Sequence, residues 1–117
     1  MKKVLIVDDE PELIEILGEF LAEEDIQFES ATSVEEAKTQ FANSDFAAII
    51  TDNRMNGESG LDLIHYIRVE LKLSLPIFLI SGAIPKIDEN SPEYKNVQFI
   101  KKPFSYPEFA SQIRENI

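Results

Sequence analysis

The chain has no cysteine, which excludes disulfides, a zinc–thiolate centre and a thiol nucleophile. Basic residues are scarce: 11 lysines and arginines stand against 22 aspartates and glutamates, for a formal net charge of −11. A field of that sign repels phosphate backbones, so direct nucleic-acid binding by this chain is not expected. It suits bound cations, and it serves solubility equally well. Long hydrophobic runs are missing too. Lys2 and Lys3 precede only Val4 to Val7 before Asp8 and Asp9. That run is too short for a signal peptide, and no other segment approaches a membrane-spanning length. A soluble, cytoplasmic protein without membrane contact is the expectation. No internal repeat, low-complexity tract or interdomain linker interrupts the chain. Its 117 residues, 44% of them hydrophobic, suffice for one core and not two. A single domain is expected over residues 1–117.

What is present is an alternation of short β-branched runs with longer amphipathic ones. Val4 to Val7 is a continuous apolar run, the pattern of a parallel strand covered on both faces. Asp9-Glu10-Pro11-Glu12 then offers a capping residue, an early proline and a capping-box glutamate, followed by Leu13, Leu17, Phe20 and Leu21 at helical spacing. Gln27 to Ala31 is a weaker strand, and Ser33 to Glu36 is a second capping box, opening a helix to about Ala42. Phe46 to Ile50 is a third strand, closed by Thr51-Asp52. A turn-rich loop runs to Gly60, and Ser59 caps a third helix with Leu61, Ile64, Ile67 and Leu71 on its stripe. Pro76 to Ile80 and Val97 to Lys101 complete the strands, and Ser105 to Glu108 caps a last helix carrying Phe109, Ile113 and Ile117. Such an order of βα units predicts a doubly wound α/β domain with a parallel sheet. A (β/α)₈ barrel needs roughly 250 residues.

In an open sheet of this kind the ligand site lies beyond the carboxyl ends of the strands. Those ends carry Asp8 and Asp9, Asp52, Ser81 and Lys102. Converging carboxylates repel one another, and a hard divalent cation such as Mg²⁺ removes the conflict. Lysine adds a fixed positive charge, and serine can donate to a phosphoryl oxygen. The set suits an aspartate that accepts a phosphoryl group under metal and lysine control. Each member also has a plainer reading. Asp9 fits a helix cap as well as a metal ligand, Asp52 and Ser81-Gly82 fit turns, and Lys102-Pro103 is a common loop dipeptide. Their coincidence at successive strand ends favours the chemical reading.

Over essentially its whole length the sequence resembles the receiver domain of two-component response regulators. The matching residues are Val7-Asp8-Asp9-Glu10, Asp52-Asn53-Arg54-Met55 with Gly60, Ile80-Ser81-Gly82, and Lys102-Pro103-Phe104. The resemblance implies a flavodoxin-like fold with strand order 2-1-3-4-5 and phosphorylation of Asp52 by a partner's phosphohistidine. It implies Mg²⁺ held by Asp9 directly, by Asp8 largely through water, by Asp52, and by the backbone carbonyl of Arg54. Ser81 and Lys102 would hold the phosphoryl oxygens, and Phe99 stands at the position of the switch aromatic. Partners would be a sensor histidine kinase or phosphotransfer protein, and a downstream protein target or effector domain. Phosphorylation would bias an existing equilibrium rather than build a new fold.

Three features depart from the family pattern. Asn56 replaces a common proline, Arg54 sets a long cation beside the acceptor, and Ala83 to Asn96 lacks the makings of a regular fourth helix. Pro85, Pro92 and the run Asn90-Ser91-Pro92, with few apolar anchors beyond Ile84 and Ile87, predict a mobile segment there. His65 falls one position off the stripe of helix three and reads as a surface or boundary residue. Tyr94, Phe99, Phe104, Tyr106 and Phe109 read as core packing. The rival from another class is an aspartyl-phosphate phosphohydrolase of the haloacid-dehalogenase type. It would need Asp-x-Asp after strand one, where this chain has Asp8-Asp9-Glu10. Turnover of a generic phosphatase substrate separates the two. A degenerate receiver that only makes protein contacts is disfavoured by the complete set of charged and hydroxyl positions. The expectation is a switch and not an enzyme.

Overall fold

The computed structural model describes residues 3–55, 57–83 and 85–117, so Lys2, Asn56 and Ile84 lie outside the described residues. The chain runs β1 Lys3–Val7, α1 Pro11–Glu23, β2 Gln27–Ala31, α2 Val34–Asn43 and β3 Ala48–Asp52. A two-residue ladder follows, β4 Arg54–Met55 against β5 Glu58–Ser59. Helix α3, Gly60–His65, continues into a π-helical turn over Tyr66–Glu70. Then come β6 Ile77–Ser81, a 3₁₀ turn at Pro92–Tyr94, β7 Val97–Lys101 and α4 Tyr106–Glu115.

The main sheet is parallel and ordered β2-β1-β3-β6-β7. Counting only its own strands, that is the expected 2-1-3-4-5. The order reverses at β1, which opens a crevice between the carboxyl ends of β1 and β3. Strands β1, β3 and β6 are buried along their whole apolar runs, and successive residues face opposite layers. Val4, Ile6, Ile50 and Phe78 pack against Leu17 and Leu21 of α1 and Phe109 and Ile113 of α4. Leu5, Ile49, Ile77 and Leu79 pack with Ala37 of α2 and Leu63 and Ile64 of α3. The aromatics expected to pack do so in two separate groups. Phe104 and Tyr106 join the α1/α4 layer with Phe109, whereas Tyr94 and Phe99 join the other face.

Several local expectations shift. Strand β3 begins at Ala48 rather than Phe46, because Phe46 sits edge-on to Phe41, 5.4 Å between centroids, with the Lys3 ammonium over its ring. At its other end the ladder extends through Thr51 and Asp52, which pair with Leu79 and Ile80. Asp9 is not the cap of α1. Glu10 is, without a side-chain bond, and the Asp8 Oδ1 accepts the Glu10 N–H at 2.9 Å. Ser33, Ser59 and Ser105 cap the other helices as expected. The stripe of α3 is Leu63, Ile64 and Ile67, with Leu61 and Leu71 only half-buried. The π turn adds a residue to the repeat, and positions beyond it fall out of helical phase.

The stretch from 85 to 96 has no helix beyond its 3₁₀ turn. Its second half is tied down by Arg68. The guanidinium donates to the carbonyls of Glu93 (3.2 Å), Leu73 (3.0 Å), Lys95 (2.9 Å) and Asn96 (3.3 Å). His65 Nδ1 lies 2.8 Å from the Glu93 carboxylate, consistent with a surface position. A charged donor shared among carbonyls is worth roughly 2 kcal/mol net. Arg68→Ala is therefore expected to lower unfolding free energy by about 2 kcal/mol, read by urea titration. Arg68→Lys should recover little of it, because an ammonium lacks the planar fork. An unchanged midpoint in Arg68→Ala would show that the tie carries no stability.

Candidate functional site

The carboxyl ends of β1, β3, β6 and β7 bring together the residues that the sequence singles out. Asp52, the last residue of β3, is 8% exposed, and Asp8, just past β1, is 1% exposed. Ser81 ends β6 and is buried, while Asp9 and Lys102 are half-buried. Gly60 explains why α3 can start so close. A Cβ there would lie 2.5 Å from the Asp52 carbonyl oxygen and 2.8 Å from Leu79 Cδ1. Only glycine lets the helix begin against the strand end that carries Asp52.

Lys102 Nζ lies 3.6 Å from Asp52 Oδ2, and the Asn53 N–H donates to Asp52 Oδ1 at 2.9 Å. Burial raises the Asp52 pKa above its usual value, and Lys102 and the Asn53 and Arg54 N–H groups oppose it. Asp8 is pushed up to about 6, first by burial, with the Asp52 charge adding and the Glu10 N–H and Lys102 opposing. Its Oδ2 is buried without a hydrogen-bond partner among the described residues. Asp8, Asp9 and Glu10 each bring a carboxylate oxygen within 4.8 Å of the others. Asp52 is not part of that trio, although its charge acts on Asp8.

Hard oxygen donors, one of them buried and unsatisfied, fit a divalent cation of the Mg²⁺ type. Asp52, Arg54, Ser81 and Lys102 line one cleft of about 700 Å³. The Arg54 side chain is exposed there. Ser81 Oγ is engaged by its own turn: it donates to the Ala83 carbonyl and accepts the Ala83 N–H at 3.3 Å. Phe99 is half-buried, pairs in register with Leu79 and packs on the α2/α3 layer outside the cleft lining. Asn53, Glu10 and Lys86 belong to the site without having been assigned a part in it. Asn53 is adjacent to Asp52 and could have been found by asking what satisfies that carboxylate. Glu10 was absorbed by its helix-start signal, and Lys86 lies in a segment with no periodicity to orient it. Among the described residues, no helix is long and apolar enough to cross a membrane.

Comparison with known proteins bears on the family and the fold. Residues 4–114 match the family model described as response regulator receiver domain. The chain is 42% identical over 67 residues to the response regulator protein PilR of Pseudomonas aeruginosa, covering 57% of this chain and 15% of PilR. It is 30% identical to the regulatory protein VirG of Agrobacterium tumefaciens, over 97% of this chain and 43% of VirG. The chain thus spans less than half the length of these relatives. Among solved structures, the response regulator TrrA of Thermotoga maritima in complex with Mg²⁺-BeF matches all of both chains, with 30% identity and a TM-score of 0.84. A chain from the complex of histidine kinase ThkA with TrrA matches with 30% identity and a TM-score of 0.82, covering 100% of this chain and 99% of that one.

Proposed function

Because this chain belongs to the response regulator receiver domain family, we propose that Asp52 accepts a phosphoryl group from a phosphohistidine of a partner protein and thereby switches protein contacts. The observation that carries this reading is the buried Asp52 carboxylate at the base of an open cleft, with the Lys102 ammonium 3.6 Å from it. In the transfer, an Asp52 oxygen bonds to phosphorus as the bond from phosphorus to the donor imidazole nitrogen breaks. The imidazole keeps that electron pair and is released. Lys102 offsets the charge that Asp52 gains, and Asn53 holds the carboxylate orientation through its N–H. Asp8, Asp9, Asp52 and the Arg54 carbonyl would hold Mg²⁺. Bound there, the cation neutralises clustered carboxylate and phosphoryl charge.

Switching follows from Ser81. Its hydroxyl is committed to Ala83, and a phosphoryl group at Asp52 offers stronger, charged acceptors. Drawing Ser81 off that turn would move the segment that follows β6, and Phe99, in register beside β6, would pack inward with it. A kinase or phosphotransfer partner is supported by the TrrA–ThkA likeness, and a downstream target or effector by the longer regulators PilR and VirG. The site assists its own phosphorylation and hydrolysis and turns over no separate substrate. Intact mass after incubation with acetyl phosphate tests the reading: one phosphate with Mg²⁺ and none in chelator supports it, and none in both overturns it. Asp9→Ala is expected to weaken Mg²⁺ binding by at least about tenfold, and Asp8→Ala by less. Equal affinity for wild type and Asp9→Ala on titration would remove Asp9 from the metal shell.

A further inference from the structure

The cleft over Asp52 is lined by three cations, Arg54, Lys86 and Lys102. Lys102 has Asp52 as its partner, whereas the side chains of Arg54 and Lys86 form no ion pair among the described residues. Of the 11 lysines and arginines in a chain with 22 carboxylates, these three meet at one cleft. Their gathering there, in an otherwise acidic chain, suits an incoming anion. Lys86 is exposed, belongs to the connection after β6 and precedes the backbone that Arg68 holds, in a stretch without helix or strand. Arg54 reaches the same cleft from the connection after β3.

We propose that Lys86 is a second cationic side-chain ligand of the phosphoryl group, beside Lys102, and that this contact anchors residues 85–91 in the phosphorylated protein. The proposal rests on the reading of Asp52 as the acceptor. Phosphorylation adds roughly one further negative charge and outward-facing oxygens at Asp52. The flexible four-carbon stem of Lys86 lets its ammonium reach them from the rim. Hydrolysis requires a water oxygen to bond to phosphorus as the bond from phosphorus to Asp52 breaks, leaving the carboxylate and inorganic phosphate, with the water proton passing to phosphate or solvent. That water arrives through the open side of the cleft, where Lys86 sits. Its contact slows hydrolysis.

The test uses the whole chain, phosphorylated with acetyl phosphate and Mg²⁺ and then freed of donor. Intact mass follows phosphate loss, and hydrogen exchange follows residues 85–91. Wild type should gain protection over 85–91 on phosphorylation. Lys86→Ala should still accept phosphate but lose it about threefold faster, the size expected of a partly exposed ion pair, without the gain in protection. Lys86→Arg should restore both. An unchanged or longer lifetime in Lys86→Ala, or the same protection as wild type, overturns the proposal while leaving Asp52 as acceptor. No phosphate on wild type would overturn the acceptor reading and this one with it, and the mass spectrum separates the two failures.

Discussion

Asp52→Asn is expected to take up no phosphate from acetyl phosphate or from a phosphorylated partner. A carboxamide cannot form the acyl phosphate, and no other carboxylate in the site sits beside Lys102 in the same way. The fold should survive, because the amide oxygen can still accept the Asn53 N–H that Asp52 Oδ1 accepts at 2.9 Å. Stability in metal-free buffer should rise, since a neutral side chain at a position 8% exposed avoids the desolvation that burdens the carboxylate. Intact mass reads the first effect and thermal melting the second. Undiminished phosphate on the variant would assign the acceptor role to another carboxylate, with Asp9 the first to examine.

The second large effect concerns Asp8. Its pKa in the folded protein is raised from 3.8 to about 6, so folding favours its protonated form. The folded state suffers no penalty below pH 4, a growing one as pH rises from about 4 to about 6, and the full penalty above that. At about 1.4 kcal/mol per pKa unit, the penalty is about 3 kcal/mol. Asp8→Asn lacks this titration. In chelator it should be more stable than wild type by about 3 kcal/mol at pH 7.5, with the gain disappearing by pH 4. Mg²⁺ should narrow the difference at neutral pH, because a ligand that binds only the folded wild type stabilises it by mass action. Denaturant melts at the two pH values decide the matter. A gain that persists unchanged at pH 4 would have some cause other than the Asp8 charge.

The identity of the five sheet strands was legible in the sequence because their signals are local, although both ends of β3 shifted by two residues. Val4 to Val7 and Ile77 to Ile80 are unbroken apolar runs that only a doubly covered sheet explains, and Ser33, Ser59 and Ser105 announce helices by their own chemistry. The candidate site followed from the strand ends, since parallel strands deliver their last residues to one edge. What stayed hidden depends on contacts between distant residues or on a break in periodicity. Arg68 reaches the carbonyls of Glu93 and Lys95, 25 and 27 positions away. The π turn at Tyr66–Glu70 carries no marker in its residues. Asp8 and Asp9 are equivalent on paper, but the turn into α1 buries the first and leaves the second half-exposed. Helix-start rules favour an aspartate with a glutamate three residues on, so Asp9 and Glu12 point to a cap that the backbone places at Glu10 instead.

The Arg68 tie divides the connection between β6 and β7 into two parts with different tolerance for added chain. Beyond Pro92 the backbone carbonyls are held by the guanidinium, and the register of β7, from Val97 against Ile77 onward, follows from there. Before it, Glu89 and Asn90 are exposed at a turn closed by local bonds to Asp88. A peptide spliced between Glu89 and Asn90 would lengthen an outer loop, and longer loops cost little free energy per added residue. The sheet would keep its register because the tie isolates it from whatever precedes. The connection can thus take up new chain, such as a recognition tag or reporter, without disturbing the strands that hold Ser81 and Phe99.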